Sequence, residues 1–246
     1  MKILVCISHV PDTTTKIAFT DNNSKLNTTG VQFIIGPYDE YALARAVELK
    51  EADASIHITA LNVGEAETEA TLRKALAIGA DEAVRINSFP TDAYFVAQQI
   101  VAYAKDKNFD LILMGRESID FNGGLVHGFV GELLGLPSIS PVMKLDIAAG
   151  KATLGKEIEG GKEMVEVSLP LVAGCQEPIA EWKIPNMRGI MSAKTKPLHV
   201  LEPVAVQNPT QHTQFELPTP KQGVKLVAAG NEEELVSLLK NEAKVI

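Results

Sequence analysis

The segment of the chain best suited to hold a ligand is a polar, glycine-containing stretch at residues 115–124. It follows a short apolar run predicted as a buried strand, and it precedes a predicted helix at about residues 126–134. Backbone N–H groups in such a turn, together with the positive end of the helix dipole, can receive a phosphate group. A turn that binds nothing is the alternative interpretation.

A second segment, at residues 182–191, combines tryptophan with isoleucine, methionine and arginine. Aromatic, Met and Arg side chains together are typical of the cores of protein interfaces, and such apolar groups are costly to expose without a partner. Lys183, Arg188, Lys194 and Lys196 make the same region positive, with no acidic residue among them. Either the segment docks a partner or it folds back onto the core of its own chain.

The side chains that usually perform catalysis are poorly arranged in this sequence. Five histidines are scattered singly, and none has the H-x-x-x-H spacing of a zinc site. Cys6 and Cys175 each lie in an apolar run, which predicts buried free thiols in a reducing cytoplasm. The G-x-G-x-x-G, P-loop and G-x-S-x-G patterns are absent from the sequence. The sequence therefore does not favour an enzyme with catalytic side chains of its own.

Length and composition limit the other function classes. A chain of 246 residues predicts one large domain or one domain with an appendage. Its formal charge of −8 argues against nonspecific binding of nucleic acid, because phosphate backbones would be repelled. No apolar run is long enough for a membrane span, and no secretory signal peptide is predicted.

Strands and helices alternate over the first half of the chain. Apolar runs predict strands at residues 3–7, 56–63, 82–86 and 110–115. Amphipathic spacing predicts helices at residues 39–50, 65–78, 93–104 and 126–134. Gly79 is predicted to stop the second helix as a C′ residue. This alternation favours a doubly wound, mostly parallel α/β sheet, whose ligand crevice lies beyond the carboxyl ends of the strands.

The pattern changes after Pro137. Short alternating segments at about residues 140–175 predict a small antiparallel insertion. Prolines and polar residues at 203–220 predict an extended linker rather than a packed element. Leu235, Leu238 and Leu239 give a terminal helix a narrow apolar stripe, which predicts docking on this chain or on a partner.

Six blocks, in this order and with this spacing, resemble the β subunit of electron transfer flavoproteins over nearly the whole chain. They are residues 2–5 (KILV), 37–40 (PYDE), 71–81 (TLRKALAIGAD), 115–120 (GRESID), 157–161 (EIEGG) and 185–187 (PNM). The resemblance implies an adenine-nucleotide-binding, universal-stress-like α/β domain at residues 1–200. A recognition loop at about residues 177–192 would belong to this domain. Residues 201–246 would form an extended arm whose terminal helix docks on an α subunit.

In this family the β subunit is non-catalytic, and the α subunit carries most contacts to a redox-active FAD. The resemblance therefore implies a structural AMP in this chain, held by strand ends, the turn before the first helix and the 115–126 loop. The residues implied are Cys6, Gly36, Pro37, Tyr38, Asp39, Val63, Gly115, Arg116, Ser118, Asp120, Asn122, Gly123, Gly124, Leu125 and Val126. Tyr38 would lie close to the flavin. Gly36 and Leu125 depart from the family, which usually has Asn and Gln there, so AMP, FAD and an empty site all remain open.

The resemblance also implies a docking surface for dehydrogenases. Glu157 matches an acidic residue linked to electron transfer with these partners. Ile184 stands where the family has a leucine anchor, which enters an apolar pocket of an acyl-CoA dehydrogenase. Pro185 and Met187 belong to the same loop.

The function implied is that of an electron carrier in the cytoplasm, which passes electrons from acyl-CoA and other dehydrogenases towards the respiratory chain. A bifurcating subunit that binds a second FAD is one alternative. A stand-alone nucleotide-binding protein of the universal-stress type is the other, and residues 140–246 argue against it, because such a protein needs neither the antiparallel insertion nor the arm.

Overall fold

The computed structural model describes residues 1–220 and 223–246. Its strands are β1 (Lys2–Cys6), β2 (His9–Pro11), β3 (Phe19–Thr20), β4 (Lys25–Leu26), β5 (Phe33–Ile35), β6 (His57–Val63), β7 (Glu82–Ile86), β8 (Leu111–Gly115), β9 (Ser138–Ala148), β10 (Lys151–Ile158), β11 (Gly161–Ser168), β12 (Leu171–Cys175) and β13 (Leu198–Leu201). Its helices are α1 (Pro37–Ala52), α2 (Glu69–Ile78), α3 (Ala93–Ala104), α4 (Val126–Leu134), α5 (Met187–Ala193) and α6 (Glu232–Ser237). A 3₁₀ turn (Ala66–Thr68) precedes α2, and a π-helical turn (Leu238–Ala243) follows α6.

Within these residues, nine strands form one sheet in the order β11-β10-β9-β12-β8-β1-β6-β7-β13. The strands from β9 to β13 in this order are parallel, and only β10 and β11 run antiparallel to their neighbours. The predicted doubly wound, mostly parallel α/β fold is confirmed. The antiparallel strands extend the edge of the main sheet.

The parallel strands are apolar because helices cover both faces of the sheet. One face packs on α1 and α2, and the other packs on α3 and α4. Ile3 and Val5 point to the first face and Leu4 to the second, and all three are fully buried. A strand covered on both sides has no polar face, which explains the continuous apolar runs in the sequence.

Helix α2 ends at Ile78, as predicted, but the reason is different from the one expected. Gly79 has a φ of 162°, which is extended backbone rather than the left-handed region. A Cβ atom at this position would lie 2.6 Å from Val47 Cγ2 on α1. Glycine is needed there because α1 and the end of α2 approach closely.

Besides the short strands β2 to β5, one strand and one helix were not predicted from the sequence. Strand β13 pairs in parallel with β7 at the sheet edge and ends at Leu201, the first residue of the predicted arm. Helix α5 begins in the predicted loop at about residues 177–192 and ends at Ala193, and it is capped by Asn186, whose Oδ1 accepts a hydrogen bond of 2.8 Å from the Gly189 N–H.

The arm is extended between 203 and 220, as predicted, yet side chains of the domain hold it. The Gln99 amide makes hydrogen bonds of 2.8 and 2.9 Å to the backbone of Val204. Farther along, the Thr210 hydroxyl donates to Asp92, and the Phe215 ring stacks on Phe19 at 5.3 Å between centroids. The arm is therefore an extended segment that contacts the domain at Val204, Thr210 and Phe215.

In the described parts of the chain, no helix combines the length and apolar character that crossing a bilayer requires.

Candidate functional site

The candidate site lies where the order of the central strands reverses. Strands β1 and β8 are neighbours, and the sheet continues from β1 through β6 to one side and from β8 through β12 to the other. In open α/β sheets, ligands bind outside the carboxyl ends of the strands at this position. The predicted residues Cys6, Val63 and Gly115 are the last residues of β1, β6 and β8.

Asp39, in the first turn of α1, organises the floor of this crevice. Its carboxylate accepts hydrogen bonds from the Ser8 N–H at 2.9 Å, the Ser8 hydroxyl and the Gly115 N–H at 2.7 Å. The side chain is 5% exposed. Asp39 thus joins the segment after β1, the start of α1 and the end of β8, and positions these groups rather than presenting its own carboxylate to a ligand.

The burial of Asp39 has an electrostatic cost. Removal from water raises the pKa of this carboxyl from its usual 3.8 to about 6, although the hydrogen bonds from Ser8 and Gly115 act in the opposite direction. The nearby thiols of Cys6 and Cys175 are buried, which raises the pKa of each well above its ordinary value. Both cysteines are therefore neutral and unreactive at pH 7, and Cys6 can serve a ligand only through its backbone.

Two glycines allow the segments around Asp39 to approach. At Gly36, the residue before α1, an added Cβ would lie 2.3 Å from Ser8 Oγ and 2.4 Å from Asp39 Oδ2. At Gly115 it would lie 2.6 Å from Tyr38 Cβ and 3.0 Å from the Asp39 backbone nitrogen. An Asn at position 36 would not fit this arrangement without movement of Ser8 and Asp39.

We expect Gly115→Ala to lower the free energy of unfolding by about 2–3 kcal/mol, because the new methyl group meets backbone and a Cβ rather than a flexible side-chain end. Urea unfolding would measure the change. Gly123→Ala is the matched control, since a Cβ at Gly123 meets no described atom within 4 Å. Equal stability of the two variants would contradict this description of the crevice floor.

The segment after β8 turns back towards the start of α4. The Asn122 N–H donates a hydrogen bond of 2.8 Å to the Ser118 carbonyl, which forms a turn. Gly124 has a φ of 59°, in the left-handed region. Val126 begins α4, so the N-terminus of a nine-residue helix faces this end of the sheet. The predicted loop residues Ser118, Asp120, Asn122, Gly123, Gly124 and Leu125 all lie in this turn.

Arg116 supplies the positive charge of the segment. Its guanidinium donates to Glu117 Oε1 at 2.8 and 3.2 Å, and its Cζ lies 4.9 Å from the centre of the Tyr38 ring. Such a distance is typical of a cation–π contact. Pro37 and Tyr38 open α1, so this contact ties the start of that helix to the turn after β8.

Two buried polar atoms near the strand ends have no partner among the described residues. Asn62, next to the end of β6, donates from Nδ2 to the Ile7 carbonyl at 2.8 Å, but its Oδ1 is unpaired. His9 contacts Thr71 Oγ1 through Nδ1 at 2.7 Å, while its Nε2 is unpaired. Burial lowers the pKa of His9, so the ring is neutral near pH 7. An unpaired acceptor and ring nitrogen, a helix N-terminus and a cation together fit the polar groups of an adenine nucleotide.

The segment at residues 182–191 does not fold back onto the core with its large apolar side chains. Trp182, Ile184, Met187 and Met191 are 52%, 78%, 74% and 68% exposed. The helix that carries Met187 and Met191 is nevertheless anchored: α5 packs on α2, and a Cβ at Gly189 would lie 2.3 Å from the Ala77 carbonyl oxygen. Of the two interpretations left open by the sequence, a docking surface is the favoured one.

The basic residues of this region divide into two pairs. Lys183 forms an ion pair of 2.9 Å with Glu51, and Lys196 donates to the carbonyls at the end of α2 at 2.6 and 2.8 Å. Arg188 and Lys194 are exposed on the same surface as the apolar side chains. Glu157, the other predicted docking residue, is exposed at the end of β10.

Sequence analysis missed Ser8, Asn62 and Gln176, which contribute side chains to this end of the sheet. Each lies within two residues of the carboxyl end of a parallel strand, or on that strand's last residues. This position is the signal that would have identified them, because such residues line the crevice of a doubly wound sheet.

Comparison with known proteins gives a consistent result. Residues 24–206 match the model of the electron transfer flavoprotein domain. The chain is 38% identical to the electron transfer flavoprotein subunit beta of Bacillus subtilis (strain 168), with 100% of both chains covered. It is 35% identical to the protein of that name from Syntrophomonas wolfei, over 92% of this chain and 90% of the relative. Identity to the mitochondrial subunit beta of Oryza sativa subsp. indica is 30%, again over the full length of both.

Proposed function

The chain belongs to the electron transfer flavoprotein family, as a β subunit, and we propose that it pairs with an α subunit to carry electrons from dehydrogenases towards the respiratory chain. In this proposal the chain holds AMP as a structural ligand, while the α subunit supplies most contacts to FAD. Its own side chains make and break no bonds. The two buried free thiols suit the reducing cytoplasm, where we place the heterodimer.

The observation that carries the nucleotide proposal is the crevice floor at the junction of β1, α1 and β8. Asp39 fixes three backbone segments there, and glycines at positions 36 and 115 allow these segments to approach closely. A nucleotide phosphate would be held by the turn at residues 116–125 and the N-terminus of α4. Asn62 Oδ1 supplies an acceptor for an amino group such as that of adenine.

FAD supplies the one- and two-electron chemistry of such a carrier when it is bound. This chain would contribute the Tyr38 side chain near the flavin, under the guanidinium of Arg116. The same guanidinium is held by Glu117, so the aromatic ring and the charge above it are positioned before the subunits meet. This chain therefore shapes the surroundings of the flavin, while the redox chemistry belongs to the cofactor.

The exposed apolar segment supports docking of acyl-CoA dehydrogenases. Met187 projects from α5, which packs on α2, and Ile184 lies in the segment just before this helix, next to Pro185. The cations Arg188 and Lys194 are exposed beside them. An exposed apolar anchor within a positive rim favours a partner with an apolar pocket and an acidic border. Leu235 and Val236 of α6 are 45% and 53% exposed, which supports docking of the terminal helix on the α subunit.

Extraction of nucleotides from the co-purified αβ protein tests the cofactor proposal. We expect equal amounts of FAD and AMP, quantified by chromatography after denaturation. Twice as much FAD as α subunit, without AMP, would instead indicate the bifurcating type. Gel filtration of the chain with and without the α subunit provides the second readout, because a stand-alone nucleotide-binding protein of the universal-stress type would not form the heterodimer.

A further inference from the structure

Gln176, the residue that follows β12, joins two charged side chains of opposite sign. Its Oε1 accepts a hydrogen bond of 3.0 Å from Arg116 Nη1, and its Nε2 donates to Glu157 Oε2. The Gln176 side chain is 7% exposed, whereas Arg116 and Glu157 both reach solvent. Within the described residues, this amide is the link between the turn after β8 and the end of β10.

The polarity of the amide matches its two neighbours in only one orientation. A guanidinium has donors and no acceptor, so the carbonyl oxygen must face Arg116. An ionised carboxylate has acceptors and no donor, so the NH₂ group must face Glu157. Hydrogen bonds to charged groups are stronger than those between neutral groups. In the reversed orientation, the NH₂ group would face the donors of Arg116 and the carbonyl oxygen would face the carboxylate of Glu157.

Backbone contacts hold Gln176 and Arg116 in register. The Gln176 N–H donates to the Val142 carbonyl on β9 at 3.0 Å, and the Arg116 N–H donates to the Cys175 carbonyl at 2.9 Å. The Arg116 guanidinium is also held by Glu117 and lies over the Tyr38 ring. The fixed amide thus sets where the exposed Glu157 carboxylate points.

We propose that Gln176 is a positioning residue, whose amide holds Glu157 for the electron-transfer partner and couples the β10–β11 hairpin to the nucleotide segment at Arg116. The inference rests on the proposed function and on the role in electron transfer with dehydrogenases that the family resemblance implies for Glu157. Gln176 does not touch substrate or cofactor in this proposal. It acts through the two charged side chains that it separates.

Two variants of Gln176 test the hydrogen bonds that its amide makes to Arg116 and Glu157. Gln176→Glu keeps the volume and the acceptor for Arg116, but it places a second carboxylate against Glu157. Gln176→Met keeps the length and removes both hydrogen bonds. Thr59→Val is the matched control, because Thr59 is 2% exposed and its hydroxyl donates to Glu82 at 2.9 Å on a central part of β6, away from the strand ends.

The experiment measures reduction of the reconstituted αβ flavoprotein by a reduced acyl-CoA dehydrogenase, as a function of flavoprotein concentration. We expect kcat/KM to fall about fivefold in Gln176→Met and about tenfold in Gln176→Glu, mainly through a higher KM, because a displaced charge weakens the encounter. In the double variant Glu157→Gln/Gln176→Met, kcat/KM should be no lower than in Glu157→Gln alone, since both changes remove the same interaction. Thr59→Val should keep the wild-type kcat/KM, whatever its melting temperature.

The outcomes separate this inference from the proposal on which it rests. If Glu157→Gln leaves kcat/KM unchanged, the role of Glu157 in electron transfer is wrong, and the role of Gln176 is wrong with it. If Glu157→Gln slows the reaction but neither Gln176 variant does, only the positioning role is overturned. The positioning role would also be overturned if the fold-losses in kcat/KM of Glu157→Gln and Gln176→Met multiplied in the double variant. A loss of kcat/KM in Thr59→Val equal to that in Gln176→Met would overturn it as well.

Discussion

Asp39→Ala is expected to lower the free energy of unfolding by about 3–5 kcal/mol near pH 5, because it leaves the N–H groups of Ser8 and Gly115 without their acceptor at the junction of three segments. Denaturant unfolding measured by circular dichroism would give the change. Nucleotide content of the αβ protein should fall in parallel, since the same carboxylate fixes the floor of the proposed site.

The stability loss in Asp39→Ala should depend on pH. Burial raises the pKa of Asp39 in the folded protein to about 6, above the 3.8 of an unperturbed carboxyl. An acid whose pKa is higher in the folded than in the unfolded protein contributes stability that is fully present below the pKa of the unfolded state. This contribution is lost as the pH rises through the pKa of the folded state. The difference in the free energy of unfolding between wild type and Asp39→Ala should therefore decrease by about 1–2 kcal/mol between about pH 5 and pH 7.5.

Asp53→Ala is a suitable control for this pH dependence. Asp53 is exposed, and the hydrogen bond from Ser55 lowers the pKa of its carboxyl. Its contribution is fully present above the unfolded pKa, so the effect of the substitution should be constant over the same pH range. A difference between wild type and Asp39→Ala that grows with pH would contradict the electrostatic description of Asp39.

Ile184→Ala is expected to slow reduction of the αβ flavoprotein by an acyl-CoA dehydrogenase, with kcat/KM lower by about tenfold or more, as for an anchor residue of an interface. The side chain is 78% exposed, so its truncation removes little that this chain buries by itself. Thermal stability and FAD content should therefore equal those of wild type. The rate of reduction at several flavoprotein concentrations measures the effect.

Ile17→Ala provides the comparison for the docking prediction. Ile17 is a 39% exposed isoleucine before β3, outside the segment at residues 182–191, and its truncation should leave kcat/KM unchanged. Equal rates for Ile184→Ala and wild type would exclude the anchor role. A loss of FAD in Ile184→Ala would show instead that the side chain faces the α subunit.

Hydrophobic patterning was sufficient for the architecture. The runs at residues 3–7, 56–63 and 110–115 predicted buried parallel strands, and all three lie in the centre of the sheet. The signal is strong because helices cover both faces, so each strand is apolar throughout. Strand β13 gave no such signal, since it lies at the edge of the sheet and three of its four residues are exposed. Pairing with β7 decides its structure, and this pairing joins residues that are more than 100 positions apart in the chain.

The sequence by itself determined the fold class, the family and the loops in which a site had to be sought, because residue spacing and apolar periodicity are local properties. Only the tertiary structure decided what the side chains in those loops do. Asp39 was predicted to bind nucleotide, but it is buried against Ser8 and Gly115; the large apolar groups after Trp182 were open to two interpretations, and they are exposed. Burial and hydrogen-bond partners depend on segments distant in the chain, so the residue types in one loop cannot specify them.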